Sequence, residues 1–293
     1  MKRLPFLLCL LIATSPWSML RAGAAEHVVL IVWDGLRPDM VTAENTPTLH
    51  ALAKSGTFFS RHHAVYPSST EVNGAALATG MYPEHSGIIG NREYRPLIVP
   101  DEATALERLP NIRKGDEVMH GHYIATPTIY EILQVQGFST IVTGSKAIAL
   151  FADRSEKRVT KAAQKSVTVF EGQSLSKDIL TRLETIFGIF PKIPTYPDVE
   201  QNTWTTRVLI EELWKAEVPK LSLLWLSDPD YSQHHTQPGS QEALAALKAN
   251  DQLLAKLLTQ LDAKGIRDKT DILLVSDHGF STTEQLVDFA ALL

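Results

Sequence analysis

Three acidic positions, each closing an apolar run, carry most of the chemistry open to this chain. Asp34 follows His27-Val28-Val29-Leu30-Ile31-Val32-Trp33, and Asp228-Pro229-Asp230 follows Leu221-Ser222-Leu223-Leu224-Trp225-Leu226-Ser227. Asp277-His278-Gly279 follows Ile272-Leu273-Leu274-Val275-Ser276, with the glycine expected to let the backbone turn sharply. Asp230 and His234 lie close enough to bind one ion from a single turn, and His235 is an alternative donor at the same place. Carboxylates and imidazoles crowded together repel unless a cation holds them, so the pattern points to a metal centre. Mixed Asp and His donors suit zinc better than the all-oxygen shells of calcium or magnesium. The donors outnumber the needs of one tetrahedral ion. Two ions about 4 Å apart would clamp both the attacking and the leaving oxygen of an in-line displacement at phosphorus.

Such a displacement needs a nucleophile, and Thr70 is the best placed. Pro67-Ser68-Ser69-Thr70 leads into a helix expected over Glu71 to Thr79 and closed by Gly80. Free backbone N–H groups and the helix dipole favour an anion at that mouth. Metal coordination would lower the hydroxyl pKa and present an alkoxide at neutral pH. The same short polar residues also suit a helix N-cap, a role compatible with the first.

The elements that must bring these groups together follow from hydrophobic patterning. Short continuous apolar runs separated by helical patterns read as buried parallel strands of an α/β sheet, helices on both faces. Ligands bind beyond the carboxyl ends of such strands. Thr46-Pro47 to Gly56 reads as a helix, Thr57 to Tyr66 as extended, and Tyr82 to Tyr123 as a loop-rich excursion. A helix over Pro127 to Gln136 precedes a strand, Phe138 to Thr143, that opens into Gly144-Ser145-Lys146. Ser166 to Phe170 reads as a short strand, Leu175 to Phe187 and Trp204 to Glu217 as helices. Leu244, Leu247, Leu254, Leu257, Leu258 and Leu261 form one helical face that Gly265 ends. Thr282 to Leu293 starts a further helix. No composition break marks a second domain.

Of 293 residues, 44% are hydrophobic and 21% charged, which suits a globular chain. A net charge of -5 offers no basic footprint for a nucleic-acid polymer or an anionic membrane. Residues 1–24 differ: Lys2-Arg3, the apolar block Leu4 to Ala13, and Ala22-Gly23-Ala24 make a secretory signal peptide. The apolar block is too short to span a hydrocarbon core of about 30 Å, so no stable membrane anchor is expected. The only cysteine, Cys9, lies inside it. The expectation is an exported protein, periplasmic or extracellular, with one domain over 25–293.

Several of these segments together resemble the type I phosphodiesterase/nucleotide pyrophosphatase family of the alkaline phosphatase superfamily. They are Val32-Trp33-Asp34-Gly35-Leu36-Arg37, Tyr66-Pro67-Ser68-Ser69-Thr70 with Asn73, Ala78-Thr79-Gly80-Met81-Tyr82-Pro83-Glu84-His85-Ser86-Gly87-Ile88 with Asn91, Pro229-Asp230 with His234, and Ser276-Asp277-His278-Gly279. The resemblance implies an alkaline phosphatase-like core and hydrolysis of phosphodiester or pyrophosphate bonds in a small-molecule phosphate ester. It implies one zinc on Asp34, Thr70, Asp277 and His278, with Thr70 forming a phospho-enzyme. It also implies a second zinc on Asp230 and His234, and Asn91 as donor to a non-bridging phosphate oxygen.

Three departures from the family accompany it. A further histidine ligand of the second zinc has no counterpart after His278, and the chain closes on the apolar run Phe289-Ala290-Ala291-Leu292-Leu293. The expectation is therefore a C-terminally incomplete enzyme, the alternative an inactive metal- or phosphate-binding protein. Glu71 stands where nucleotide-cleaving members carry a stacking aromatic residue, and its carboxylate would repel a second phosphate. Gln233 replaces the glycine usual before His234. A phosphomonoesterase or phosphonate hydrolase is the rival on the same scaffold, and no Cys-x-Pro-x-Arg or Ser-x-Pro-x-Arg supports a sulfatase.

Overall fold

The computed structural model describes residues 25–175, 177–192, 196–285 and 287–292. The leader expected over 1–24 lies outside the described residues. Among the described residues eight strands occur in chain order: β1 (His27–Trp33), β2 (Arg92–Glu93), β3 (Thr104–Ala105), β4 (Thr140–Gly144), β5 (Val167–Phe170), β6 (Gln173–Ser174), β7 (Leu221–Leu226) and β8 (Thr270–Val275). Six form one sheet in the order β6-β5-β4-β7-β1-β8, parallel except for β6, and β2 with β3 makes a separate hairpin.

The helices are α1 (Pro47–Ser55), α2 (Thr70–Thr79), α3 (Pro83–Ser86), α4 (Leu109–Val118), α5 (Ile129–Val135), α6 (Lys161–Lys165), α7 (Lys177–Phe187), α8 (Val199–Arg207), α9 (Asp230–Thr236) and α10 (Gln241–Ala263). They cover both sheet faces, as a parallel sheet requires. Val29, Ile31 and Trp33 of β1 meet Leu49 of α1, Trp204 of α8 and Leu247, Leu254, Leu257 and Leu261 of α10. Val32 points the other way, into a core with Val72 of α2, Ile112 of α4, Tyr130 of α5 and Trp225 of β7. The alternation follows from the two-residue period of a strand. Among the described residues no helix is long and apolar enough to cross a membrane.

Local signals explain most boundaries. Ser240 caps α10 through the Ala243 N–H, and Thr128 with Glu131 forms a reciprocal capping box on α5. Pro47 opens α1, whose N–H groups at Thr48 and Leu49 donate to the Asp251 carboxylate of α10 at 2.9 and 2.8 Å.

Four expectations fail. The Tyr82 to Tyr123 excursion holds α3, the β2–β3 hairpin and α4, because Gly115, which reads as a helix breaker, sits inside α4 where a Cβ would overlap the Tyr123 ring. The extended run expected over Thr57 to Tyr66 is broken by a turn at Ser60-Arg61, and among the described residues it joins neither sheet. The helix expected from Trp204 begins earlier, at Val199, and passes into wider i→i+5 turns over Val208–Leu213. The helix expected from Thr282 is confined to one 3-10 turn, Ala290–Leu292. Val287, Phe289 and Leu292 are exposed, so no apolar face is buried to hold a longer helix. Leu286 and Leu293 lie outside the described residues.

Candidate active site

β1 lies between β7 and β8, with Trp33 opposite Leu226 and Val32 opposite Val275. The residues following the three strands therefore emerge side by side at one sheet edge. Two hydrogen bonds fix them there: Asp230 N donates to the Asp34 carbonyl at 2.9 Å, and Gly35 N to the Asp277 side-chain Oδ1 at 3.1 Å. Gly35 takes a left-handed backbone, φ 70°, that turns the chain beneath the first turn of α9. Gln233 strengthens this joint rather than disturbing it. Its buried amide donates to Gly35 O at 2.9 Å, and α9 is regular around it. Gly279 has no left-handed backbone and a Cβ there would meet nothing within 4 Å, so the sharp turn expected of it is not needed.

The cluster centres on His278 Nε2. It lies 3.4 Å from Asp34 Oδ1, 3.4 Å from Asp277 Oδ2 and 3.9 Å from Asp230 Oδ1. Thr70 Oγ1 is 3.1 Å from the same nitrogen. Nδ1 on the far side of the ring is 2.7 Å from Gly279 O and donates to it. Nε2 is then the lone-pair nitrogen, and the Thr70 hydroxyl donates to it. One donor atom each from Asp34, Asp230 and His278 lies within 4.8 Å of the others.

Burial makes this grouping costly without a cation. Asp34, Asp230 and Asp277 are buried, and among the described residues Asp34 Oδ1, Asp230 Oδ1 and Asp277 Oδ2 have no hydrogen-bond partner. Burial, then the Asp34 charge, pushes the Asp277 carboxyl well above the usual range. Unpartnered buried carboxylate oxygens turned toward one imidazole nitrogen are what a divalent cation with mixed O and N ligands requires, and the residues present fit one.

His234 joins from the surface. Its Nε2 is 3.3 Å from Asp230 Oδ1, its ring stands edge-on to Phe280, and 63% of its side chain is exposed. His235 does not join: its ring stacks on Tyr196 and its Nδ1 donates to Tyr231 O.

Thr70 is the first residue of α2 and buried. The Ser69 side chain makes no capping bond. Asn73 instead ties down the approach, accepting from Val65 N at 2.8 Å and donating to Ser69 O at 3.0 Å. Asn91 Oδ1 accepts from Glu71 N at 3.2 Å, which brings its amide beside Thr70.

Three features escape the sequence reading. Lys146, just past β4, contacts Asp34 and Asp230. It stands at a parallel strand end as the aspartates do, which assigns it to the same end of the sheet but not to a particular partner. Trp225 Nε1 donates to Asp34 Oδ2 at 3.0 Å from within an apolar run that gives no hint of it. Glu71 is buried, and desolvation followed by the Glu107 charge pushes its pKa up to about 8. The expected repelling carboxylate is therefore largely neutral near pH 7.

Comparison with known proteins adds to this geometry. A family model described as type I phosphodiesterase / nucleotide pyrophosphatase matches residues 28–293. Ectonucleotide pyrophosphatase/phosphodiesterase family member 1 of Homo sapiens is 27% identical over 271 residues, 91% of this chain and 24% of that protein. Venom phosphodiesterase 2 of Crotalus adamanteus is 25% identical over 261 residues, 88% of this chain and 25% of that protein. The chain thus spans about a quarter of the length of these curated relatives. Murine ectonucleotide pyrophosphatase/phosphodiesterase 5, solved in an inactive form in complex with AMP, shares the fold with a TM-score of 0.59 at 18% identity, covering 92% of this chain and 61% of that one.

Proposed function

The chain belongs to the type I phosphodiesterase/nucleotide pyrophosphatase family, and on that premise we propose that it carries the catalytic domain, over 25–293, of an exported, metal-dependent hydrolase of phosphodiester or pyrophosphate bonds. The substrate is a small-molecule phosphate ester and the compartment periplasmic or extracellular. The observation that carries the reading is Thr70 Oγ1 at 3.1 Å from His278 Nε2, a nitrogen ringed by Asp34, Asp230 and Asp277 oxygens.

Asp34, Thr70, Asp277 and His278 would hold one zinc, and Asp230 with His234 a second. When bound, the ions supply a lowered hydroxyl pKa at Thr70 and positive charge for the phosphoryl and leaving oxygens. Thr70, held at the mouth of α2, forms its Oγ1–phosphorus bond as the bond from phosphorus to the leaving oxygen breaks. The product is a phospho-threonine and an alcohol or phosphate that gains a proton. Water then replaces Oγ1 at phosphorus, its proton returning the Thr70 hydroxyl, and the remaining phosphate monoester is released. Asn91, its Oδ1 engaged by the Glu71 N–H, keeps its Nδ2 for a non-bridging oxygen.

The test is Thr70→Ala. Hydrolysis of bis-p-nitrophenyl phosphate should fall by at least about 10³-fold while zinc content, measured by mass spectrometry, stays near wild type. Undiminished turnover would remove Thr70 from the mechanism. Faster cleavage of p-nitrophenyl phosphate or phosphonoacetate than of the diester by the wild type would favour the monoesterase or phosphonate hydrolase.

A further inference from the structure

Lys146 Nζ donates to Asp34 Oδ2 at 3.0 Å and to Asp230 Oδ2 at 3.2 Å. The other oxygens of the same carboxylates, Asp34 Oδ1 and Asp230 Oδ1, face His278 Nε2 at 3.4 and 3.9 Å and have no hydrogen-bond partner among the described residues. Each carboxylate is thus divided, one oxygen against the ammonium and one toward the His278 side. Trp225 Nε1 adds a second donor to Asp34 Oδ2, so that oxygen is fully engaged away from the imidazole.

The lysine's own footing is firm. Ser145 N donates to Trp225 O at 3.0 Å, Ser227 N donates to Ser145 Oγ at 2.8 Å, and Ser145 Oγ donates to buried Asn202 at 2.6 Å. These bonds tie the end of β4 to the end of β7, the strand that leads to Asp230. The backbone that carries Lys146 is therefore set by the fold, and its Nζ is held by the two carboxylates.

Asp34 and Asp230 are almost completely buried, their side chains 0% and 7% exposed, and Asp277 is buried beside them. Buried charges of one sign are tolerated only where a counter-charge touches them, and among the described residues Lys146 is the permanently charged group whose ion pairs reach both Asp34 and Asp230, His278 reaching them through an imidazole that is charged only when protonated.

We propose that Lys146 is a built-in cation that holds Asp34 and Asp230 in metal-receiving geometry before any metal arrives, occupying their Oδ2 atoms and leaving the Oδ1 atom of each to its own ion. The inference rests on the metal-site reading and adds that the chain reaches its ligand arrangement without zinc. Lys146 acts through the two aspartates, which makes it a positioning residue.

The test compares thermal unfolding of the full chain in EDTA and in excess zinc for wild type, Lys146→Met and Lys146→Arg. In EDTA, K146M should melt roughly 6–15 °C below wild type, the scale for stripping buried charges of their partner in a chain of this size. Zinc should close most of that gap, because its charge replaces what was lost, and K146R should stay within about 3 °C of wild type in both media. Asp230→Asn placed on K146M should recover part of the EDTA deficit, since it removes one of the stranded charges. If K146M folds only when refolded with zinc, the same conclusion follows. A K146M midpoint equal to wild type in EDTA overturns the proposal, as does a deficit that zinc leaves unchanged or a variant that folds in neither medium. The wild-type arm is separate: a midpoint that zinc does not raise sinks the metal-site reading itself.

Discussion

Gly35 and Asp230 approach so closely that a Cβ on the glycine would lie 2.9 Å from Cβ of the aspartate. The residue after one candidate ligand thus packs against another, 195 positions further along the chain by their numbering. Gly35→Ala must adopt the left-handed backbone and displace α9. The first costs about 1–2 kcal/mol and the second about 1–3 kcal/mol. Urea unfolding should show a loss of about 2–5 kcal/mol, and zinc titration a weakened site. An unchanged midpoint would mean that α9 does not abut this turn.

Asn91 offers a test confined to the chemical step. Its exposed side chain holds no core together, yet its carboxamide is anchored beside Thr70 by the Glu71 N–H. Asn91→Ala should lower kcat by about 10²- to 10³-fold, the usual effect of removing one oxyanion donor, with KM little changed. A rise in KM at constant kcat would assign Asn91 to ground-state binding instead.

Asp198 sets a pH dependence. It is buried, caps α8 through Gln201 N and accepts from Ser227 Oγ at 2.9 Å, and burial pushes its pKa up to about 6. The folded protein holds this proton more tightly than the unfolded chain, where the value is about 3.9. The stability it contributes is present below the unfolded pKa and lost as pH rises through about 6. By pH 8 the loss is of the order of 3 kcal/mol at most. Asp198→Asn stays neutral at every pH and can keep both hydrogen bonds. It should be more stable than wild type by about 1–3 kcal/mol at pH 8, with the gap narrowing to about a third of that by pH 4.5. Urea midpoints at the two pH values decide, and a gap independent of pH rules out ionisation as the cause.

Metal removal should register as stability. A ligand at 100 to 1,000 times its Kd adds about 2.7–4.1 kcal/mol to the folded state, so EDTA should lower the unfolding midpoint of the wild type. Asp34→Asn should abolish the response to zinc and reduce bound zinc, read by calorimetry and elemental analysis. A full zinc complement in that variant would place the ions elsewhere.

The strand-end aspartates were legible because β-branched and leucine-rich runs bounded by polar residues have few other uses; β1 occupies His27–Trp33 as its pattern implies. Gly80 and the α10 leucine stripe marked their helices for the same local reasons. Lys146 was not legible as a partner of Asp34, since its meaning depends on β4 lying next to β7, a sheet order that no local pattern encodes. Glu71 read as a repelling carboxylate because its burial, and the Glu107 charge that adds to it, are tertiary facts. The half-exposed Leu273 of β8 likewise follows from that strand's place at the sheet edge, which its apolar run does not reveal.

β8 docks on β1 but follows every other strand of its sheet in sequence. During synthesis from the N-terminus, Asp34, Thr70 and Asp230 all leave the ribosome before Asp277 and His278 exist. Until His278 is added the Thr70 hydroxyl lacks the imidazole it meets in the fold, so the row of candidate ligands is complete only once β8 docks on β1.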